Sequence, residues 1–473
     1  MIFSWIVLAV YVTLVIGAMV AVLLDNRQPV KTMAWLMVLM FVPIVGVILY
    51  FFFGQSVRKE RLISQRSLDK LTKNSMIGFM EQKDLKVPEG YESLVKLFVN
   101  QNMNLPFSNN KVEVYTCGRD FFDALLEQMR LARHHIHLQT YIIEDDTLGR
   151  KVAEVLMERA RQGVEVRLIY DDVGCWRVPA AFFQQMKDAG VRVEAFMPVH
   201  FPAFTSKVNY RNHRKLCVID GQVGFIGGMN IAERYLVWRD THLQIRGSAA
   251  AGLQRAFLVD WYFVSRSLIT NAVYYPSPET VLSATTPEQM STLAQVVTSS
   301  PISPWPEIMQ GYVHILQTAR KYVYMESPYF LPTEQVLFAM QTAAMAGVDV
   351  RLMVPLHSDA KLVRWASRSY MAETIASGVK VYVYKPVFNH SKLLVADDAL
   401  CCCGSTNIDF RSFENNFEAN IFFYGRDVAL RLKQVFLEDQ HQSVLINGLT
   451  DLAARPFHKR LWESVVRLLS PLL

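Results

Sequence analysis

The octapeptide HRKLCVID, His213 to Asp220, returns later in the chain as HSKLLVAD, His390 to Asp397. Each copy has the form H-x-K-x-x-x-x-D, and each is followed, ten residues beyond its aspartate, by an asparagine: Asn230 after Gly227 and Gly228, Asn407 after Gly404 and Ser405. A repeat that keeps polar residues at matched distances restricts the fold to two similar units, because one structural solution must serve both stretches.

The match continues outside the motifs. RQGVEVRLIYDD from Arg161 resembles MAGVDVRLMVPL from Met345, DAGVRVEAFMP from Asp188 resembles ASGVKVYVYKP from Ala376, and LARHHIHLQTYI from Leu131 resembles TARKYVYMESPYF from Thr318. The blocks keep their order. The main difference is VHFPAFTSKVNYRN before His213, which has only VFN as its counterpart before His390. Helical stretches with apolar residues at spacings of three and four, many ending at glycine, alternate with β-branched strands. The expected fold class is therefore α/β: two tandem layered domains, at 111–270 and 271–445, forming a pseudo-two-fold catalytic unit. Within each motif the spacing predicts a strand, a tight turn after Asp220 or Asp397, and a second strand. Alternation on a strand then puts His213 and Lys215 on one face, and His390 with Lys392 likewise.

Two imidazoles and two ammonium groups suit a phosphodiester. One neutral imidazole can attack phosphorus, the other can protonate the leaving oxygen and deprotonate the incoming hydroxyl, and Lys215 and Lys392 can hold the phosphoryl oxygens. Asn230 and Asn407 are candidate donors to developing charge. Asp240 in WRDTHLQI and Glu418 in NNFEANIF follow their asparagines at similar distance and are candidate carboxylates for orienting the histidines. Asp220 and Asp397 complete the motifs as catalytic candidates, although their place just past a strand favours a turn or salt-bridge role. This chemistry calls for no metal and no cofactor.

The amino-terminal region has a different character. Ile2 to Leu24 carries no charge, and after DNRQPVKT a second apolar run extends from Met33 to Phe53. Each run is long enough to cross about 30 Å of hydrocarbon, so residues 1–57 are expected to form a two-helix membrane hairpin. Arg58, Lys59, Arg61, Arg66, Lys70 and Lys73 follow it, against Arg27 and Lys31 between the runs. That balance places the catalytic domains on the cytoplasmic side of a multi-pass protein. Residues 58–110 read as a juxtamembrane linker. Residues 446–473 read as an amphipathic terminal segment, either interfacial or packed on the domain. A net charge of +6 without basic blocks gives no nucleic-acid footprint and suits an anionic bilayer. The six cysteines lack metal spacing, and Cys401, Cys402 and Cys403 read as packing residues.

The blocks WRDTHLQIRG, SPYFLP, HSKLLVADD and STNIDFRSFENNFE, with the membrane segment QPVKTMAWLMVLMFVPIVGVILYFFFG, resemble the phospholipase D superfamily and, within it, the bacterial cardiolipin synthases. The resemblance covers almost the full chain. It implies transfer of a phosphatidyl group from one phosphatidylglycerol to another through a phosphohistidine, yielding cardiolipin and glycerol at the bacterial cytoplasmic (inner) membrane. It also implies His213 as nucleophile and His390 as acid and base. The implied partners are phosphatidylglycerol and anionic membrane lipids, with no nucleic acid; a homo-oligomer is compatible. A phospholipase D-type hydrolase is the alternative reading, and a membrane-bound nuclease the more distant one. Ser405, standing where the first half has Gly228, is a departure between the halves.

Overall fold

The computed structural model describes residues 2–24, 29–50, 87–198, 210–275, 292–446 and 456–471. The basic run after the second apolar segment, and most of the insertion before His213, lie outside these residues.

In chain order the strands are β1 (Pro106–Cys117), β2 (His135–Thr140), β3 (Glu165–Asp171), β4 (Arg192–Phe196), β5 (Leu216–Ile219), β6 (Val223–Gly227) and β7 (Arg239–Gly247) in the first half. The second half has β8 (Thr292–Ser299), β9 (Tyr322–Glu326), β10 (Phe330–Leu331), β11 (Asp349–Pro355), β12 (Lys380–Tyr384), β13 (Leu393–Ala396), β14 (Leu400–Gly404), β15 (Ile408–Asp409), β16 (Glu418–Tyr424) and β17 (Ser443–Leu445). Apart from the small β10–β15 pair, they form one 15-stranded sheet in the order β17-β12-β11-β9-β13-β14-β16-β8-β1-β7-β6-β5-β2-β3-β4. Read outward from the antiparallel β1–β8 contact, the two wings repeat each other strand for strand, with β17 added at one edge. The duplication is thus built as one continuous sheet with a pseudo-two-fold at its centre.

Side-chain alternation assigns each strand's residues to two layers. On one face the helices Ala250–Ser265 and Arg426–His441 share a core that crosses both halves; on the other face each half has its own core. The cysteine run shows the rule directly, with Cys401 and Cys403 in the shared core and Cys402 in the opposite one, all free and buried. The shared layer packs the two halves into one body.

Two expectations change, and the terminal segment takes one of its two expected placements. The second apolar run is helical, but it starts at Pro29 and breaks at Val42, giving helices Pro29–Phe41 and Pro43–Leu49. Pro43 has no N–H to continue a ladder and sits instead at the start of a new helix. Among the described residues only Ser4–Leu24 is long and apolar enough to cross a membrane. The stretch read as linker up to residue 110 is partly folded body, since the helix Glu92–Asn102 buries Phe98 against Phe422 with ring centroids 4.7 Å apart, and β1 begins at Pro106. The terminal helix Phe457–Arg467 lies on the helix Lys361–Ala376 through Trp462 against Trp365 and an Arg467–Glu373 ion pair of 2.6 Å. Its outer face still exposes Phe457 and Leu461.

Candidate active site

The two motifs are placed by strands of the opposite half. Asn212 bridges to Phe417, where the His213 N–H donates to the Phe417 carbonyl at 2.9 Å; Asn389 bridges to Arg239, where the His390 N–H donates to the Arg239 carbonyl at 2.7 Å. Both histidines and both lysines are buried and come just before β5 and β13.

The side chains are crossed as well. His213 Nδ1 lies 3.0 Å from Glu418 of the second half, and His390 Nδ1 lies 2.7 Å from Asp240 of the first. A carboxylate on Nδ1 fixes the ring and leaves Nε2 for chemistry. Lys215 Nζ donates to the His213 carbonyl at 2.6 Å, and Lys392 Nζ donates to the His390 carbonyl. Burial drives His213 below the ordinary imidazole range, offset by Glu418 and reinforced by Lys215. His390 falls to about 3 through burial and then Lys392. Burial also lowers both lysines, Lys392 to about 8. For Asp240 and Glu418 burial acts the other way, yet the neighbouring ammonium and imidazole groups hold both below their usual range. A site crowded with cations and nearly dry favours an anion that neutralises them.

Aromatic rings line both sides. Tyr141 meets His213 with ring centroids 5.0 Å apart, while Tyr235, Trp238 and Phe388 each stand 5.6 Å from His390. Asn230 donates to the Tyr235 hydroxyl at 2.5 Å and accepts from the Ile142 N–H at 3.2 Å, so it braces the ring beside His390. Asn407 is buried, with an amide oxygen that has no hydrogen-bond partner among the described residues.

Asp220 and Asp397 stand in the turns that follow their motif strands, where each carboxylate is taken up by backbone N–H groups. Each begins a turn with positive φ (52° and 51°) at the far end of its motif strand. Asp220 accepts the N–H groups of Arg133, His134 and His135 at 2.8 to 2.9 Å, and Asp397 those of Arg320, Lys321 and Tyr322 at 2.7 to 3.0 Å. They pin the motif turn to the start of β2 or β9, consistent with the turn preference of aspartate.

The structure also adds residues that the motifs do not reveal. Under His213, Arg214 donates to Asp260 at 2.7 Å, and Gln139 donates to the same carboxylate at 2.6 Å. Under His390 the arginine is Arg239, paired with Asp439 at 2.6 Å, and Glu326 takes the place of Gln139. The aligned blocks LQT and MES carried the Gln139–Glu326 difference in plain view. Gly228 is forced, because a Cβ there would stand 2.1 Å from Asp240 Oδ1. Ser405 at the equivalent place instead donates to Glu418. The departure between halves thus falls on the orienting carboxylates.

Comparison with known proteins identifies the family and the fold. The family described as "Cardiolipin synthase, PLD-like domain" matches residues 125–261 and 312–440, and "Phospholipase_D-nuclease N-terminal" matches residues 5–55. A cardiolipin synthase of Alkalihalophilus pseudofirmus is 38% identical over 99% of this chain and 95% of its own length, and one from Geobacillus kaustophilus is 38% identical over 95% and 90%. The crystal structure of a phosphatidylserine synthase from Haemophilus influenzae shares the fold at a TM-score of 0.63 and 14% identity, covering 81% of this chain and 100% of that one. Matched in both halves and related along nearly its whole length, the chain belongs to the bacterial cardiolipin synthases of the phospholipase D superfamily.

Proposed function

We propose that this chain transfers the phosphatidyl group of one phosphatidylglycerol to the primary hydroxyl of another, releasing glycerol and forming cardiolipin. The observation that carries the reading is the crossed pair of imidazole–carboxylate contacts, His213 with Glu418 and His390 with Asp240, buried together with Lys215 and Lys392. Burial, and then the two ammoniums, depress the imidazoles; the phosphodiester's charge offsets the ammonium part and favours the protonated His390 that the first step uses. His213 Nε2 attacks phosphorus, a P–N bond forms, and the P–O bond to glycerol breaks as His390 gives its proton to the departing oxygen. The acceptor hydroxyl then loses its proton to His390, attacks phosphorus, and the P–N bond breaks. Asp240 and Glu418 hold the rings and stabilise each imidazolium as it forms. One phosphodiester is exchanged for another, so no nucleotide is consumed.

In this reading the helix at Ser4–Leu24 anchors the enzyme in the bacterial cytoplasmic membrane, the broken second apolar segment returns the chain to the same side, and the catalytic body works on the cytoplasmic leaflet. The test is product analysis with purified protein and phosphatidylglycerol vesicles in excess chelator. Cardiolipin and glycerol in equal amounts are expected; phosphatidic acid with glycerol would make water the acceptor and the enzyme a phospholipase.

A further inference from the structure

A cleft of about 340 Å³ opens between the helix Lys361–Ala376 and the strand ends of β11, β12 and β17. Its walls are largely apolar, including Val354, Leu356, Met371 and Val444, and the helix adds Arg364 and Arg368. Arg364 Nε is buried and donates to no described group. Because Arg364 lines the cleft, that N–H is placed to meet an acceptor carried by an occupant of the cleft. Guanidinium beside an apolar trough fits an amphiphile with an anionic group next to an acyl chain.

The cleft shares a wall with the His390 side of the site. Pro328 lines it, and the next residue, Tyr329, has its ring centroid 6.4 Å from that of His390. Ser358 lines it too, and its neighbour Asp359 accepts the Tyr329 hydroxyl at 2.7 Å. Joining two phosphatidylglycerols brings two phosphodiesters together, and only one can occupy the histidine–lysine centre. The acceptor's own phosphodiester lies the length of a glycerol away from the attacking hydroxyl and keeps its charge throughout.

We propose that this cleft is the acceptor-lipid subsite, with Arg364 holding the phosphodiester that does not react and the apolar walls taking one acyl chain. The proposal rests on the transferase reading above. Its test compares two rates on phosphatidylglycerol vesicles: cardiolipin formation, and exchange of labelled glycerol into phosphatidylglycerol, which uses the covalent step without a second lipid. In Arg364→Gln the ratio of cardiolipin formation to glycerol exchange should fall by about tenfold or more, as expected for a lost charge-assisted hydrogen bond. Val444→Trp, placed at the exposed edge of the cleft, should lower the same ratio and carries the test if the arginine variant does not fold. A wild-type ratio in the folded variants overturns the subsite while leaving the transferase intact. Absence of glycerol exchange in the unaltered enzyme refutes the covalent transferase, and the subsite with it.

Discussion

The floors beneath the two histidines differ although the strands above them repeat. Under His213 one carboxylate, Asp260, meets one arginine, Arg214, and the amides of Gln139 and Asn212. Under His390 two carboxyl groups, Asp439 and Glu326, meet one arginine, Arg239. Burial, then the charge of Asp439, pushes Glu326 up to about 8 against the opposing pull of Arg239. With Glu326 protonated both floors are neutral. The arginine itself arrives by different routes, from the motif in one half and from the strand of the opposite half in the other. What the duplication preserves is the charge balance and geometry of each floor; the residue supplying each charge has been free to move.

The histidines themselves provide the largest test of equivalence. His213→Ala and His390→Ala should each reduce cardiolipin formation by about 10³–10⁴-fold while the protein stays folded, because each removes one partner of a two-step exchange. Substantial turnover by either folded variant would reduce the pair to a single working half.

Exchanging the residues that differ should then separate the halves. Gly228→Ser places a Cβ into Asp240 and should lower turnover by about a hundredfold or more through loss of the His390 contact. Ser405→Gly removes only a hydroxyl donor to Glu418 and should cost about tenfold. Equal losses, measured as kcat, would contradict the steric account of Gly228.

A smaller effect is expected from pH. Lys392, lowered to about 8 by burial with Asp240 and Glu418 opposing, must stay protonated to hold phosphate, so kcat/KM should fall about tenfold per pH unit above that value. Glu326 is pushed into the same range, so the limb should be measured again in Glu326→Gln, where it should persist. Its disappearance there would assign it to the carboxyl pair.

The smallest effect is on stability. Native Glu326 keeps a proton that the unfolded chain releases in the ordinary carboxyl range, so its contribution is complete below that range and lost as pH rises through about 8. Glu326→Gln gives the second floor the composition of the first and should be more stable by about 1–2 kcal/mol above pH 8, read from thermal melts. A loss of stability there would mean the proton is not shared as described.

Much of this was legible in the residues. The repeat carried the α/β class, the strand–turn–strand motifs, and Asp240 and Glu418 as the carboxylates that meet the two histidines. Their crossing was not, because matched spacing within each half says nothing about which partner a side chain faces once the wings join in one sheet. For Asp220 and Asp397 the sequence position favours a turn, but the backbone each turn is tied to is set by the fold: three N–H donors at the start of β2 or β9 meet each carboxylate. The second apolar run reads as a span by hydropathy, yet Pro43 divides it. Arg214, Arg239 and the Gln139–Glu326 exchange were visible as letters but had no meaning until a floor existed for them to neutralise.

The central claim, transfer through a covalent histidine shared by two crossed halves, is tested most directly by stereochemistry. Phosphatidylglycerol made chiral at phosphorus by isotopic oxygen would be converted to cardiolipin and the configuration of the transferred phosphorus determined. Two successive in-line displacements predict retention. Inversion would mean that the second lipid attacks directly and that neither histidine carries the phosphatidyl group.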